Sequence, residues 1–141
     1  MIENMLDDEI ITGIYQRLKD INDIVGYEDI QIKKYETTGT GERIVILNKN
    51  VDKPIKIQHN DVWLNIYVPH LVYNNQTYRN YQRCFAIKNQ INQLLDAGII
   101  LTNGVFIDID FTGQLSDPFV DPDKPDELCY VLKYKILTNK I

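Results

Sequence analysis

Alternation of apolar and polar residues marks one strand as the centre of this chain. Between residues 61 and 68 every second position is apolar, at Val62, Leu64, Ile66 and Val68. Side chains two residues apart lie on the same side of a strand, so the pattern predicts a strand with one buried face. The opposite side carries Trp63, Asn65 and Tyr67, and Pro69 ends the strand because its nitrogen has no proton to donate.

Apolar residues at three- and four-residue steps predict two helices. The first covers residues 5–22, and Gly13 inside it costs about 1 kcal/mol relative to alanine, which indicates a close contact. The second follows a predicted polar loop, Asn74-Asn75-Gln76, and its apolar stripe runs from Tyr81 to Leu95, with Thr77 as the predicted N-cap and Gly98 as the left-handed C-terminal cap.

Shorter apolar runs predict four more strands, at residues 30–35, 42–47, 105–111 and 128–136. Residues 55–57 are predicted to begin the central strand early. The resulting order is helix, three strands, helix, two strands. This order predicts one α+β domain over residues 1–141, with a single, mostly antiparallel sheet and two helices packed on one face.

A loop of residues 112–127, here called the arm, joins the last two predicted strands and is rich in aspartate and proline. Loops of this length in a compact domain are usually functional or mobile. Phe119 and Val120 place an apolar pair in its middle. We expect an arm that is mobile in an isolated chain and orders against a partner, with Phe119 as the anchor and Asp121 and Asp123 at the polar rim.

Composition narrows the class of protein. The net charge is −5 and the sequence shows no basic stripe, so nucleic-acid binding is not indicated. No apolar run is long enough to span a membrane, and the first residues lack the basic start of a signal peptide. Cys84 and Cys129 are too few and too far apart for a disulfide framework or a zinc motif. We therefore expect a soluble protein made in a reducing cytoplasm, with Cys84 as a buried free thiol.

Candidate catalytic groups are few. His59 and His70 would lie roughly 35 Å apart on one continuous strand, too far to share a metal ion within a subunit. Asp108 and Asp110 are the right kind of pair for a metal-dependent hydrolase, but lysines on the strand predicted beside them offer ionic partners. The chain has one serine and no Gly-x-Ser-x-Gly motif. We expect a protein that is not an enzyme and binds no metal or cofactor.

Three segments carry a resemblance to a known family. They are Glu42–Leu47, Val62–Pro69 with its Asn-Ile-Tyr-Val-Pro ending, and the amphipathic helix that ends at Leu95. Together with the order of elements over nearly the whole chain, they resemble the tail-terminator and tail-completion proteins, which join head and tail in long-tailed bacteriophages. The resemblance implies a ring, typically a hexamer, at the head-proximal end of the tail tube. Such a ring stops the tube from growing and docks on the head connector or an adaptor protein.

The resemblance also implies the partners and the place of the protein. Its partners would be further copies of itself, the tail tube protein and the head connector, within a virion assembled in the host bacterial cytoplasm. DNA would pass through the channel without specific binding, which suits the acidic charge. Aromatic side chains on the exposed side of a strand indicate an interface. The predicted interface residues are Trp63, Asn65, Tyr67, Asp108, Asp110, Phe119, Asp121 and Asp123.

Two other classes of protein remain open. An acidic inhibitory or immunity-type binding module would use the arm to block a basic partner. A small metal-dependent hydrolase would use Asp108 and Asp110. Native mass spectrometry distinguishes the tail protein from the binding module. A ring would favour the tail protein, and a stable monomer would favour the binding module.

Overall fold

Two helices and eight strands follow one another along the part of the chain that the computed structural model describes, residues 2–48 and 59–138. Their bounds in chain order are α1 Ile2–Leu18, β1 Gln31–Lys34, β2 Arg43–Asn48, β3 His59–Pro69, β4 Leu71–Tyr73, β5 Gln76–Tyr78, α2 Tyr81–Leu95, β6 Ile99–Ile100, β7 Phe106–Gln114 and β8 Glu127–Thr138. A 3-10 helix, Lys19–Asp23, continues α1. Residues 55–57, predicted as an early start of the central strand, lie outside the described ranges.

The strands form a six-stranded sheet in the order β1-β2-β3-β8-β7-β6, and β4 and β5 form a separate two-stranded hairpin. Every neighbouring pair in the large sheet is antiparallel except β1 and β2, which are parallel. The predicted α+β class, with two helices and a mostly antiparallel sheet, is therefore confirmed. The predicted order of elements is wrong in detail, because it lacks β4, β5 and β6 and places all strands in one sheet.

The parallel pair depends on the loop between β1 and β2. Gln31 lies beside Arg43 and Lys34 beside Ile46, so the chain returns to the start of β1 before β2 begins. Positive φ angles at Tyr35 (+63°) and at two glycines help the backbone to turn within this loop. Parallel strands usually need a longer crossover, which is why the sequence pattern indicated no parallel pair.

The core lies against β3 and β8, which pair from His59 opposite Leu137 to Pro69 opposite Glu127. The predicted alternation in β3 is confirmed by the buried side chains of Val62, Leu64, Ile66 and Val68. The same core cluster contains side chains of both helices, Ile10, Ile11, Ile14 and Leu18 from α1 and Cys84, Ile87, Ile91 and Leu95 from α2. Each fully buried aliphatic side chain contributes about 1.5–3 kcal/mol relative to an exposed one.

Two glycines behave as the sequence predicts. Gly13 marks a close contact of α1, since a Cβ atom there would lie 2.7 Å from Leu101 Cδ2. Gly98 follows α2 with a φ of +73°, and its N–H donates to the Leu95 carbonyl at 3.1 Å. The left-handed cap predicted at Gly98 is thus confirmed.

The start of α2 differs from the prediction. Thr77 is not its N-cap, because it pairs with Val72 inside the hairpin. Asn80 caps the helix instead, and its Oδ1 accepts a hydrogen bond from the Arg83 backbone N–H at 3.3 Å. Thr77 resembles an N-cap in the sequence because a threonine that follows polar residues is typical of both a helix start and a hairpin strand.

Candidate interaction surface

The sheet face away from the main core, here called the outer face, carries the predicted interface residues of β3. A second buried cluster lies on this face, formed by Val45, Tyr67, Cys129 and Val131, with Leu47 and Trp63 packed against it. Tyr67 keeps only 4% of its surface exposed, whereas Trp63 and Asn65 are partly buried. The expectation of an exposed aromatic face is therefore wrong at Tyr67, which its own chain covers. Contact of this face with a partner stays a prediction.

A buried arginine organises one end of the outer face. Arg43 is fully buried, and its two terminal nitrogens donate to the two carboxylate oxygens of Glu127 at 2.8 and 2.7 Å. The same nitrogens donate to the carbonyls of Gly41 at 3.0 Å and Thr37 at 3.2 Å. The guanidinium also lies 4.2 Å from the centre of the Tyr67 ring. These contacts hold the β1–β2 loop, the central strand and the end of the arm together.

Lys124 brings the arm over the same ring. Its Nζ donates to the Thr37 carbonyl at 2.7 Å and lies 4.6 Å from the centre of the Tyr67 ring. The Asn65 side-chain amide donates to the Tyr67 hydroxyl at 3.2 Å. Burial raises the pKa of Tyr67, and burial raises the pKa of the Cys129 thiol beside it to about 11. Both groups therefore stay protonated at neutral pH, which suits a packing role.

The arm lies against its own domain rather than apart from it. Phe119 and Cys129 exchange two backbone hydrogen bonds, of 3.0 and 2.7 Å, and the Leu115 N–H donates to the Val131 carbonyl at 3.0 Å. The Asp121 carboxylate accepts from the Asp123 N–H at 3.0 Å, which shapes a local turn. This placement differs from the expected detached arm. The Phe119 side chain is nevertheless 38% exposed, so its predicted role as an anchor for a partner stays open.

Asp108 and Asp110 are exposed on β7. Asp110 lies opposite Lys135 of β8, so the expected neighbouring positions of an aspartate and a lysine are confirmed there, although the two side chains form no ion pair in the described structure. Lys133 instead lies opposite Gly113, because the register shifts between Phe111 and Gly113. Within the described ranges, no group of three or more histidine, cysteine, aspartate or glutamate side chains is placed to hold a metal ion.

The two histidines lie at opposite ends of β3, as predicted. His59 begins the strand and His70 follows its last residue, Pro69. The His70 backbone N–H donates to the Asp126 carbonyl at 3.1 Å, which joins the end of β3 to the arm. The histidines therefore do not form a common site.

Sequence reasoning missed the Arg43–Glu127 pair and the β4–β5 hairpin. Arg43 and Glu127 are separated by 84 positions, and no spacing rule connects residues that far apart. The hairpin did leave a signal, because Asn74 and Asn75 stand between two short runs of strand-forming residues.

No family model matches the chain, and no curated protein matches it. In the described ranges, no helix has both the length and the apolar character needed to cross a membrane.

Proposed function

We propose that this chain is a structural subunit of a phage tail, forming a ring that caps the tail tube and joins it to the head connector. The resemblance of Glu42–Leu47 and Val62–Pro69 to tail-terminator and tail-completion proteins supports the proposal. The α+β architecture with two helices is compatible with it. In the proposed ring, both helices cover one face of the sheet, and the outer face and the arm are turned toward neighbouring subunits or the tube.

The observation that carries the proposal is apolar surface exposed at two separate places. In the hairpin, Leu71, Tyr73 and Tyr78 are 53%, 69% and 46% exposed, and in the arm Leu115 is 51% exposed. Large exposed apolar patches usually mark sites of interaction. Two different patches on one chain suit a head-to-tail contact, and such a contact closes into a ring when its rotation permits.

The proposed role requires no catalytic group, metal ion or cofactor from this chain. Each subunit contributes a net charge of −5, so a ring of subunits would carry a strongly negative field. DNA passing through the channel would then be repelled by the wall instead of adhering to it.

We expect the purified protein to form a closed ring, most simply a hexamer. Native mass spectrometry at tens of micromolar protein should show one dominant assembly that is an integer multiple of the 16.5 kDa chain. Negative-stain images of the same sample should show rings with a central opening. A monomer at every concentration tested would contradict the proposal.

An inhibitory or immunity-type binding module is the alternative, and the exposed acids of the arm favour it. Asp117, Asp123 and Asp126 are all exposed and could face a basic partner. Under this alternative the chain stays monomeric in the same mass measurement. Its partner would bind less tightly as salt rises and when these three residues are changed to asparagine.

A further inference from the structure

The β4–β5 hairpin extends from the domain with its side chains in solvent. All residues from Leu71 to Arg79 are exposed. Asn74 and Asn75 form its turn with φ angles of +51° and +63°, as in a two-residue type I′ turn. Neither strand makes extensive contact with any other element of the described chain.

One side of the hairpin is apolar. Leu71 lies opposite Tyr78 and Tyr73 lies opposite Gln76, so Leu71, Tyr73 and Tyr78 share a side, while Val72 lies on the reverse. A two-stranded hairpin without a packing partner is marginally stable at best in water. Because all of its side chains in the described structure are exposed, this apolar side is open to contact with another molecule.

The arm has an exposed surface of matching character. Leu115 is 51% exposed and Phe119 is 38% exposed, and the Asp117 carboxylate lies in solvent between them in the sequence. The hairpin of the same chain begins beside the arm, where the His70 N–H donates to the Asp126 carbonyl. Although the hairpin begins close to the arm, it leaves Leu115 and Phe119 exposed.

The charges of the two surfaces are opposite. Residues 70–80 contain no acidic side chain, and Arg79 makes no ion pair among the described residues. The arm contains five acidic residues and one lysine. Glu127 is already paired with the buried Arg43, which leaves Asp117 as an exposed carboxylate beside the apolar surface of the arm.

The edges of the large sheet are poorly suited to pairing with another copy. β1 has four residues and carries Lys33 and Lys34, and β6 has only two residues. The edge of β7 beyond β6 carries Asp108 and Asp110 and contains a register irregularity. Short strands, charged side chains and bulges all disfavour edge-to-edge pairing. Contact between copies is therefore better served by the side chains of the hairpin.

We propose that the apolar side of one copy's hairpin packs against Leu115 and Phe119 of the next copy. In the same contact, Arg79 of the first copy lies beside Asp117 of the second. The inference rests on the proposed ring and specifies its subunit contact. Because the two surfaces differ, each copy donates one hairpin and receives another, which is the arrangement that builds a ring.

Two variants test the contact by removing one surface at a time. The hairpin variant carries Tyr73→Ser and Tyr78→Ser, and the arm variant carries Leu115→Ser and Phe119→Ser. Each variant alone should be a monomer by native mass spectrometry. A mixture of the two should give a one-to-one pair and nothing larger, because only the intact hairpin of the arm variant can meet the intact arm of the hairpin variant.

A matched control lies on the reverse side of the same hairpin. Val72→Ser should assemble as the wild type does, since Val72 does not belong to the apolar side. A hairpin variant that still forms the wild-type ring overturns this inference and leaves the proposed ring intact. A wild-type chain that is monomeric overturns both.

A charge exchange gives an independent readout for the case in which a serine variant does not fold. Arg79→Glu alone and Asp117→Lys alone should each weaken assembly about tenfold at low salt. The two changes in one chain should restore assembly, because a glutamate at position 79 and a lysine at position 117 again carry opposite charges. A double variant that assembles no better than either single variant overturns the inference.

Discussion

Arg43 is an unusual residue because it carries a charge into the interior. Its side chain is fully buried and that of Glu127 is 12% exposed, whereas the second ion pair, Arg83–Glu42, has side chains that are 23% and 25% exposed. Removing one member of a buried ion pair leaves the other charge without compensation. Breaking the Arg43–Glu127 pair should therefore lower the free energy of unfolding more than breaking the Arg83–Glu42 pair, although both pairs consist of an arginine and a glutamate.

We expect Arg43→Met to lower the free energy of unfolding by about 3–5 kcal/mol. Arg83→Met is the matched control and should cost about 1 kcal/mol, because its partner keeps access to water. Urea unfolding followed by circular dichroism measures both values. Adding Glu127→Leu to Arg43→Met should recover much of the loss, and equal losses at Arg43 and Arg83 would contradict the assignment.

Buried thiols predict how stability changes with pH. Burial raises the pKa of Cys84 from 9.0 to about 12 and that of Cys129 from 9.0 to about 11. Above pH 9 the unfolded chain therefore loses thiol protons that the folded chain keeps. The contribution of these thiols to stability is complete below pH 9 and falls as the pH rises through the folded values.

We expect the free energy of unfolding to decrease between pH 9 and pH 11, with a slope of up to about 1.4 kcal/mol per pH unit for each thiol. Urea unfolding at pH 8, 8.5 and 9 tests the onset of this decrease, where few tyrosines of the unfolded chain are ionised. Cys129→Ala should flatten the slope. An unchanged slope in that variant would show that Cys129 does not titrate differently in the folded chain.

At the scale of elements, the turn after α2 depends on a glycine for two reasons. Gly98 has a φ of +73°, and a Cβ atom there would lie 2.7 Å from the Ile107 carbonyl oxygen and 2.6 Å from Phe106 Cζ. Gly104 has a φ of +85°, yet a Cβ atom there would meet nothing within 4 Å. The two positions share the left-handed backbone and differ in the space around it.

We expect Gly104→Ala to cost about 1–2 kcal/mol through backbone strain alone. Gly98→Ala should cost at least about 1 kcal/mol more, because β7 must also move away from the added methyl group. Thermal unfolding of the two variants side by side gives the difference. Equal losses would mean that the contact of Gly98 with β7 is relaxed at little cost.

The elements also show what the sequence can predict. Residues 62–68 alternate strictly, and one side of β3 is buried as expected. Residues 71–78 form a hairpin and not the predicted loop, because Asn74 and Asn75 adopt the left-handed conformation that a tight two-residue turn requires. The parallel pairing of β1 and β2 left no periodic signal, since alternation is the same in either direction.

At the scale of the whole molecule, the sheet is buried on both faces at one end, although only the larger of its two core clusters contains side chains of the helices. The four positions from Arg43 to Ile46 are all buried, so this part of β2 is covered on both faces of the sheet. The cover on the outer face comes from the β1–β2 loop and from Lys124 of the arm. These contacts join segments that are far apart in the chain, and the pattern of apolar and polar residues within one strand does not predict them. The location of Tyr67 in the interior could not be predicted for that reason.

The two cysteines lie in different layers of the molecule, and this has a consequence for its redox chemistry. Cys84 belongs to the core shared with the helices and Cys129 to the cluster on the outer face, and both are free thiols. Oxidation begins with an exposed thiolate, whereas burial keeps these two protonated and out of solvent. Both thiols should therefore remain reduced in an oxidising medium, and the fold should be the same there as in a reducing cell interior. For the proposed tail subunit, this means that the fold made inside the host would be kept in the released particle.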